Sequence, residues 1–181
     1  MAQGQTPLPV KYFCAILYRD HSAFKRALEL LYTICGEADF YGKDHLFDVT
    51  DYYAPEMGSP LYRKQVSFEP LRGPTELPHV KIECNRIESE LAFNRNRTVN
   101  LDCGYLDHNK FLLASAKEAG QKIYLDKGIY ADLAGRYKNG KYQPFEWSFP
   151  DFRDGRYDAE LLEMRRRYLF QLKAYRKGHS V

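Results

Sequence analysis

Nine residues near the start, VKYFCAILY from Val10 to Tyr18, form an almost unbroken apolar run. They include β-branched and aromatic members, too many for an exposed segment and too few for a membrane span. Such a run reads as a buried strand. The rest of the chain must therefore supply the surfaces that bury it. At 181 residues and 44% apolar, the chain has the material for one substantial core. It is expected to fold as a single domain over residues 1–181, with roughly eight flexible residues at the start and about four at the end.

The segments after the first strand carry alternating signals. Asp20 or Ser22 caps a helix whose stripe is Phe24, Ala27, Leu28, Leu31 and Cys35, and Gly36 ends it. Residues 45–53 read as a second strand. Pro55, Gly58 and Pro60 enforce a loop, and 61–71 alternates as a third strand. A second helix starts near Thr75, with Val80, Cys84, Ile87 and Leu91 as its stripe. Residues 97–102 read as a strand broken by Gly104, while 110–117 fits either strand or helix. Residues 121–125 and 128–137 pair, and Asn139-Gly140 marks a further hairpin. The final helix, about 158–177, carries Tyr157, Leu161, Met164, Tyr168, Leu172 and Tyr175 on one stripe, with Arg165 and Arg166 exposed. This order predicts an α+β fold: a mostly antiparallel sheet, a ferredoxin-like β-α-β-β-α-β first half, an added β-hairpin and a C-terminal helix.

Composition removes several function classes. With 27 basic and 24 acidic residues the net charge is +3, far from the excess of a dedicated nucleic-acid binder. No GxxxxGK[ST], no GxGxxG after a strand and no GxSxG is present. The five histidines are scattered without HExxH, and Cys14, Cys35, Cys84 and Cys103 form no CxxC pair, so no metal-ligand set is expected. The cysteines read as reduced, buried thiols of a cytoplasmic protein. No apolar signal core and no membrane-spanning stretch is seen.

Polar residues gather instead in a few stretches: TDYYAPEMG (50–58), NRIE (85–88), VNLDCGYL (99–106), KIYLDKGIYAD (122–132) and WSFPD (147–151). Together with LASAK (113–117), and in this order, they resemble a bacterial and archaeal family catalogued as domain of unknown function 4416. The resemblance runs from PLPVK (7–11) to the final helix. That family usually has Asp-Pro-Gly-Tyr where this chain has Asp102, Cys103, Gly104 and Tyr105, and Glu where it has Asp132. The resemblance implies no activity. A GTP-binding label is sometimes attached to such proteins, and no motif in this chain supports it.

Two readings of these stretches stand side by side. In one, Thr50, Tyr53, Glu56, Asn100, Asp102, Tyr105, Lys127 and Tyr130 converge at one end of the sheet on a polar or phosphorylated small molecule. Glu56 and Asp102 are then the carboxylates available for catalysis or for a divalent cation such as magnesium. In the other, Glu56 pairs with an arginine, Asp102 braces the Gly104 turn, Asn85 and Glu88 hold Arg97, and Lys127-Gly128 is a plain turn. An RNA-binding alternative rests on Tyr12, Tyr62, Arg63 and Phe68 as a base-stacking sheet face. A third is a protein-interaction scaffold whose interface is the aromatic C-terminal region.

Overall fold

The computed structural model describes residues 3–178. Strand β1 (Val10–Tyr18) is buried along its whole length, because both faces of the sheet are covered at its position. Tyr12, Cys14, Ile16 and Tyr18 enter one core with helices α1 (His21–Cys35) and α3 (Leu77–Glu90). Phe13 and Ala15 enter a second core with helix α5 (Asp158–Gly178). Leu17 joins a small third cluster with Phe47, Met57 and Leu61. A strand buried on both sides has no solvent face for polar residues, hence the unbroken apolar run. Its one charge, Lys11, is fully buried, and its ammonium donates to Asp39 (2.6 Å), the Phe68 carbonyl (2.9 Å) and Gln171 (2.8 Å). All three donors are thereby satisfied.

The nine-stranded sheet runs β2-β4-β1-β5-β6-β8-β7, with β3 added beside β4 and β9 beside β8. The strands are β2 (Ala38–Tyr41), β3 (His45–Leu46), β4 (Tyr62–Arg72), β5 (Val99–Leu106), β6 (Lys110–Ser115), β7 (Ile123–Asp126), β8 (Ile129–Lys138) and β9 (Lys141–Pro144). All neighbours pair antiparallel. Two short helices, α2 (Ala54–Met57) and α4 (Pro150–Arg153), sit in the connections. The fold is α+β with one large antiparallel sheet. No helix among the described residues is long and apolar enough to cross a membrane.

Local signals set several elements. Asp20 caps α1 by accepting from the Ser22 amide (2.8 Å), and Gly36 ends it at φ 87°. Asn139 and Gly140 (φ 53° and 83°) turn β8 into β9, as an Asn-Gly hairpin requires. Helix α5 lays Leu161, Met164, Tyr168 and Leu172 on the second core beneath Tyr157. Each such side chain contributes about 1.5–3 kcal/mol when fully buried.

Four expectations need correction. Residues 47–53 do not continue a strand. The ladder stops at Leu46, Phe47 turns its ring under Arg63 (4.6 Å), and the Thr50 hydroxyl accepts from the Tyr52 amide. A side chain–backbone turn there replaces strand pairing. Gly104 does not break β5 but lies inside it, where a Cβ would collide with the Leu112 carbonyl oxygen. Arg165 is half-buried, stacked 3.6 Å over the Tyr137 ring, whereas Arg166 is exposed as expected. The proposed base-stacking face is covered: Tyr12, Arg63 and Phe68 are buried and Tyr62 half-buried. Of the ends expected to be flexible, residues 1–2 and 179–181 lie outside the described residues; residues 3–8 are exposed and form no helix or strand.

Candidate functional site

Strands β5 and β6 pair only from Gly104 opposite Leu113 to Leu106 opposite Phe111. Beyond Gly104 they part. The backbone of Leu101, left without a strand partner on that side, is taken up by helix α3. Glu88 accepts from the Leu101 amide (2.6 Å), and Lys81 donates to its carbonyl (2.9 Å). Two buried, ionisable side chains therefore stand in for a strand, which keeps the gap open without orphaning the peptide groups. The gap is the floor of a cavity of about 430 Å³.

Its walls come from distant parts of the chain. Strand β5 gives Asn100 and Asp102, and α3 gives Lys81, Asn85 and Glu88. The end of β6 and the turn after it give Ser115, Lys117 and Lys122, facing Asp132 of β8. The 47–53 segment adds Phe47, Thr50, Tyr52 and Tyr53; the start of α4 adds Phe149 and Asp151, and β4 adds Arg63.

Charge is arranged in three groups. Arg63, 1% exposed, holds Asp151 (2.5 Å) and Asp102 (2.9 Å), and the Tyr157 hydroxyl also donates to Asp151 (2.9 Å). A guanidinium fork is suited to holding two carboxylates close together. Arg97 is gripped by Glu56 through its amide (3.0 Å), Nε (2.9 Å) and Nη2 (2.7 Å), and donates to Asn100 (2.7 Å). These bonds push the Glu56 carboxyl below its ordinary range. The third group is lysine. Lys122 donates to Ser115 (2.9 Å) and lies 3.7 Å from Asp132; Lys117 reaches only the Tyr52 hydroxyl (3.4 Å). Among the described residues, neither Lys81 nor Lys117 has a carboxylate at ion-pair distance.

Burial and charge shift several groups. Burial raises the Asp132 carboxyl, with Lys122 opposing, and raises Glu88, with Lys81 opposing. Tyr53 is pushed up to about 12, first by burial and then by the charge of Asp102, so its phenol stays protonated. For Lys81, burial acts downward, but the fields of Cys103, Asp102 and Glu88 outweigh it, so its pKa rises and the ammonium persists.

Residues 8–168 match the family described as Domain of unknown function (DUF4416). The chain belongs to this family. No curated protein and no solved structure matches it.

Of the site residues expected in this DUF4416 chain, Thr50, Tyr53, Asn100 and Asp102 line the cavity. Glu56 stands behind its wall, spent on Arg97, and faces instead an open groove of about 850 Å³ beside the start of α1. Tyr105 is excluded by strand alternation: Asn100, Asp102 and Gly104 share one face, and Tyr105 points to the other, against Tyr12 (5.9 Å). Lys127 is the exposed first residue of the β7–β8 turn (φ 51°), and Tyr130 packs on Tyr124 (5.4 Å). Neither lines the cavity. Nor does Asp102 brace a turn, since its partner is Arg63. As expected of the bland reading, Glu88 lies on Arg97 (3.7 Å). Among the described residues no three His, Cys, Asp or Glu side chains form a metal-holding group, and all four cysteines are free and buried.

Sequence reasoning missed Lys81, Lys117, Lys122 and Asp151 as residues of this cavity, and placed Arg63 only on the base-stacking face. Two signals were present. Lys117 ends LASAK and Lys122 begins KIYLDKGIYAD, so both lie inside the motifs that carry the family resemblance. Arg63 and Gln65 are polar residues two apart on one face of a strand, at positions that prove fully buried.

Proposed function

We propose that this protein binds a small anionic molecule, polar or phosphorylated, in the cavity between β5 and β6. One observation carries the reading: Lys81, Lys117 and Lys122 converge on one cavity, and two of them lack a carboxylate partner. The cavity's carboxylates Asp102 and Asp151 are held by Arg63, so ammonium groups that form no ion pair of their own favour an anion. The volume suits a metabolite-sized ligand. The first half of the chain reads as a ferredoxin-like unit, and the cavity lies where β6 and β8 of the second half meet it. The four free thiols fit a reducing, cytoplasmic setting.

The test is titration of the isotopically labelled protein with pyrophosphate, followed by amide resonances. Shifts are expected at Ser115, Lys117, Lys122 and Leu101, weakened about tenfold or more in a Lys117→Ala, Lys122→Ala double variant. Shifts scattered over the surface, or unchanged in the variant, would sink the reading.

A further inference from the structure

The cavity holds more than cations. Besides the buried Arg63 Nε, Asn100 Nδ2, Asp132 Oδ1 and Asp151 Oδ1, three hydrogen-bonding groups on its lining have unused capacity among the described residues. The Tyr53 hydroxyl has no partner; the Asn85 side-chain amide has none; Asp102 commits one carboxylate oxygen to Arg63 and leaves the other unpaired. They come from the 47–53 segment, α3 and β5, so three separate elements present an acceptor, an amide and a hydroxyl to one space. Two rings also line it and remain open to solvent: Tyr52 at 63% and Phe149 at 43% exposure. Lys117 and Lys122 lie apart from these groups in sequence, on the turn between β6 and β7, where the Lys122 ammonium also reaches the Lys117 carbonyl (3.2 Å).

A bare anion uses the lysines and leaves the rest unpaired. An aliphatic phosphate does the same and places methylenes against a carboxylate. A chain or ring of hydroxyls supplies both donors and acceptors, which is what a carboxylate, an amide and a phenol together require. Its C–H face has the apolar character that exposed aromatic rings accept. Resting on the anion-binding reading above, the geometry points to a phosphorylated polyhydroxy compound, such as a sugar phosphate, as the ligand class. Its phosphate lies toward Lys117 and Lys122, and its hydroxyls toward Tyr53, Asn85 and Asp102.

Calorimetric titration of the full chain with ribose 5-phosphate, glucose 6-phosphate, ethyl phosphate, inorganic phosphate and free ribose separates the two claims. At least one sugar phosphate is expected to bind about tenfold or more tighter than ethyl phosphate, because a site built to pair hydroxyls discriminates against analogues lacking them. Tyr53→Phe and Asn85→Ala should each reduce that ratio, while Lys117→Ala weakens every phosphate. Both Tyr53 and Asn85 are only partly buried and lack hydrogen-bond partners, so folding survives the changes, which circular dichroism verifies. Equal affinity for ethyl phosphate and both sugar phosphates overturns the polyhydroxy assignment and leaves anion binding standing. Binding of free ribose as tight as ribose 5-phosphate overturns it as well. Failure of every phosphate defeats the anion reading itself.

Discussion

Replacing Arg63 by methionine removes the guanidinium that holds both Asp102 and Asp151. Asp151 is fully buried, so its charge is left with the Tyr157 hydroxyl alone. Breaking a buried pair in this way costs about 3–5 kcal/mol, and urea unfolding of Arg63→Met should show a loss of that order. Asp132 makes the opposite case. Its folded pKa is raised by burial even after the pull of Lys122. The folded protein therefore binds the proton more tightly than the unfolded chain, and stability falls as pH rises from the unfolded value, about 3.9, through the folded one. Asp132→Asn removes that loss. Its melting temperature at pH 7 should exceed that of the parent, and the advantage should vanish below about pH 3.

At the scale of elements, two contacts decide how the layers meet. Leu161 is 2% exposed on the face that α5 lays over the sheet. Leu161→Ala should cost about 2–5 kcal/mol, measured by chemical denaturation; parental stability would mean the helix is not packed there. Gly104 governs the closest approach of β5 to β6. An alanine methyl meets the Leu112 carbonyl, a backbone atom with nowhere to retreat. Gly104→Ala should lose about 1–3 kcal/mol, and the pairs from Gly104–Leu113 to Leu106–Phe111 should exchange their amides faster. The sequence disclosed elements whose causes are local. The Asp20 cap, the Asn139-Gly140 turn and the α5 stripe each depend on residues within a few positions of one another. Gly104 misled because a glycine that ends a strand and one that admits a neighbouring strand look the same until that neighbour is known. Residues 47–53 misled because their aromatic side chains are taken up by cations distant in sequence, Phe47 by Arg63, Tyr53 by Arg97 and Tyr52 by Lys117.

At the scale of the molecule, part of the site was legible: Thr50 and Tyr53 stood out as polar groups beyond a turn's needs, and Asn100 and Asp102 share a strand face. Asn100 and Asp102 are two apart, and alternation alone places them together. The rest of the lining joins residues from 47 to 151 through the order of the sheet, which no local pattern contains. Acid should expose the same long-range dependence. Glu56 has its pKa lowered by Arg97. Its contribution is therefore complete above the unfolded value of about 4.3 and is lost as pH falls through the lower folded one. With Glu56 protonated, Arg97 loosens beside Asn100, so ligand affinity should drop in the same interval. An unchanged affinity in a Glu56→Gln variant at pH 7 would show that the wall stands without this pair.

The parting of β5 from β6 also has a mechanical consequence. The sheet is in effect two plates, β2-β4-β1-β5 and β6-β8-β7, riveted at one end by the pairs from Gly104–Leu113 to Leu106–Phe111 and unfastened at the other. Beyond those pairs the plates are linked through helix α3, which packs on β5 of one and on β6 and β8 of the other. Any guest that touches Asp102 on one plate and Lys117 on the other acts as a splint across the open end. Hydrogen exchange should then slow in both plates together when the cavity fills, although neither gains a single ladder bond.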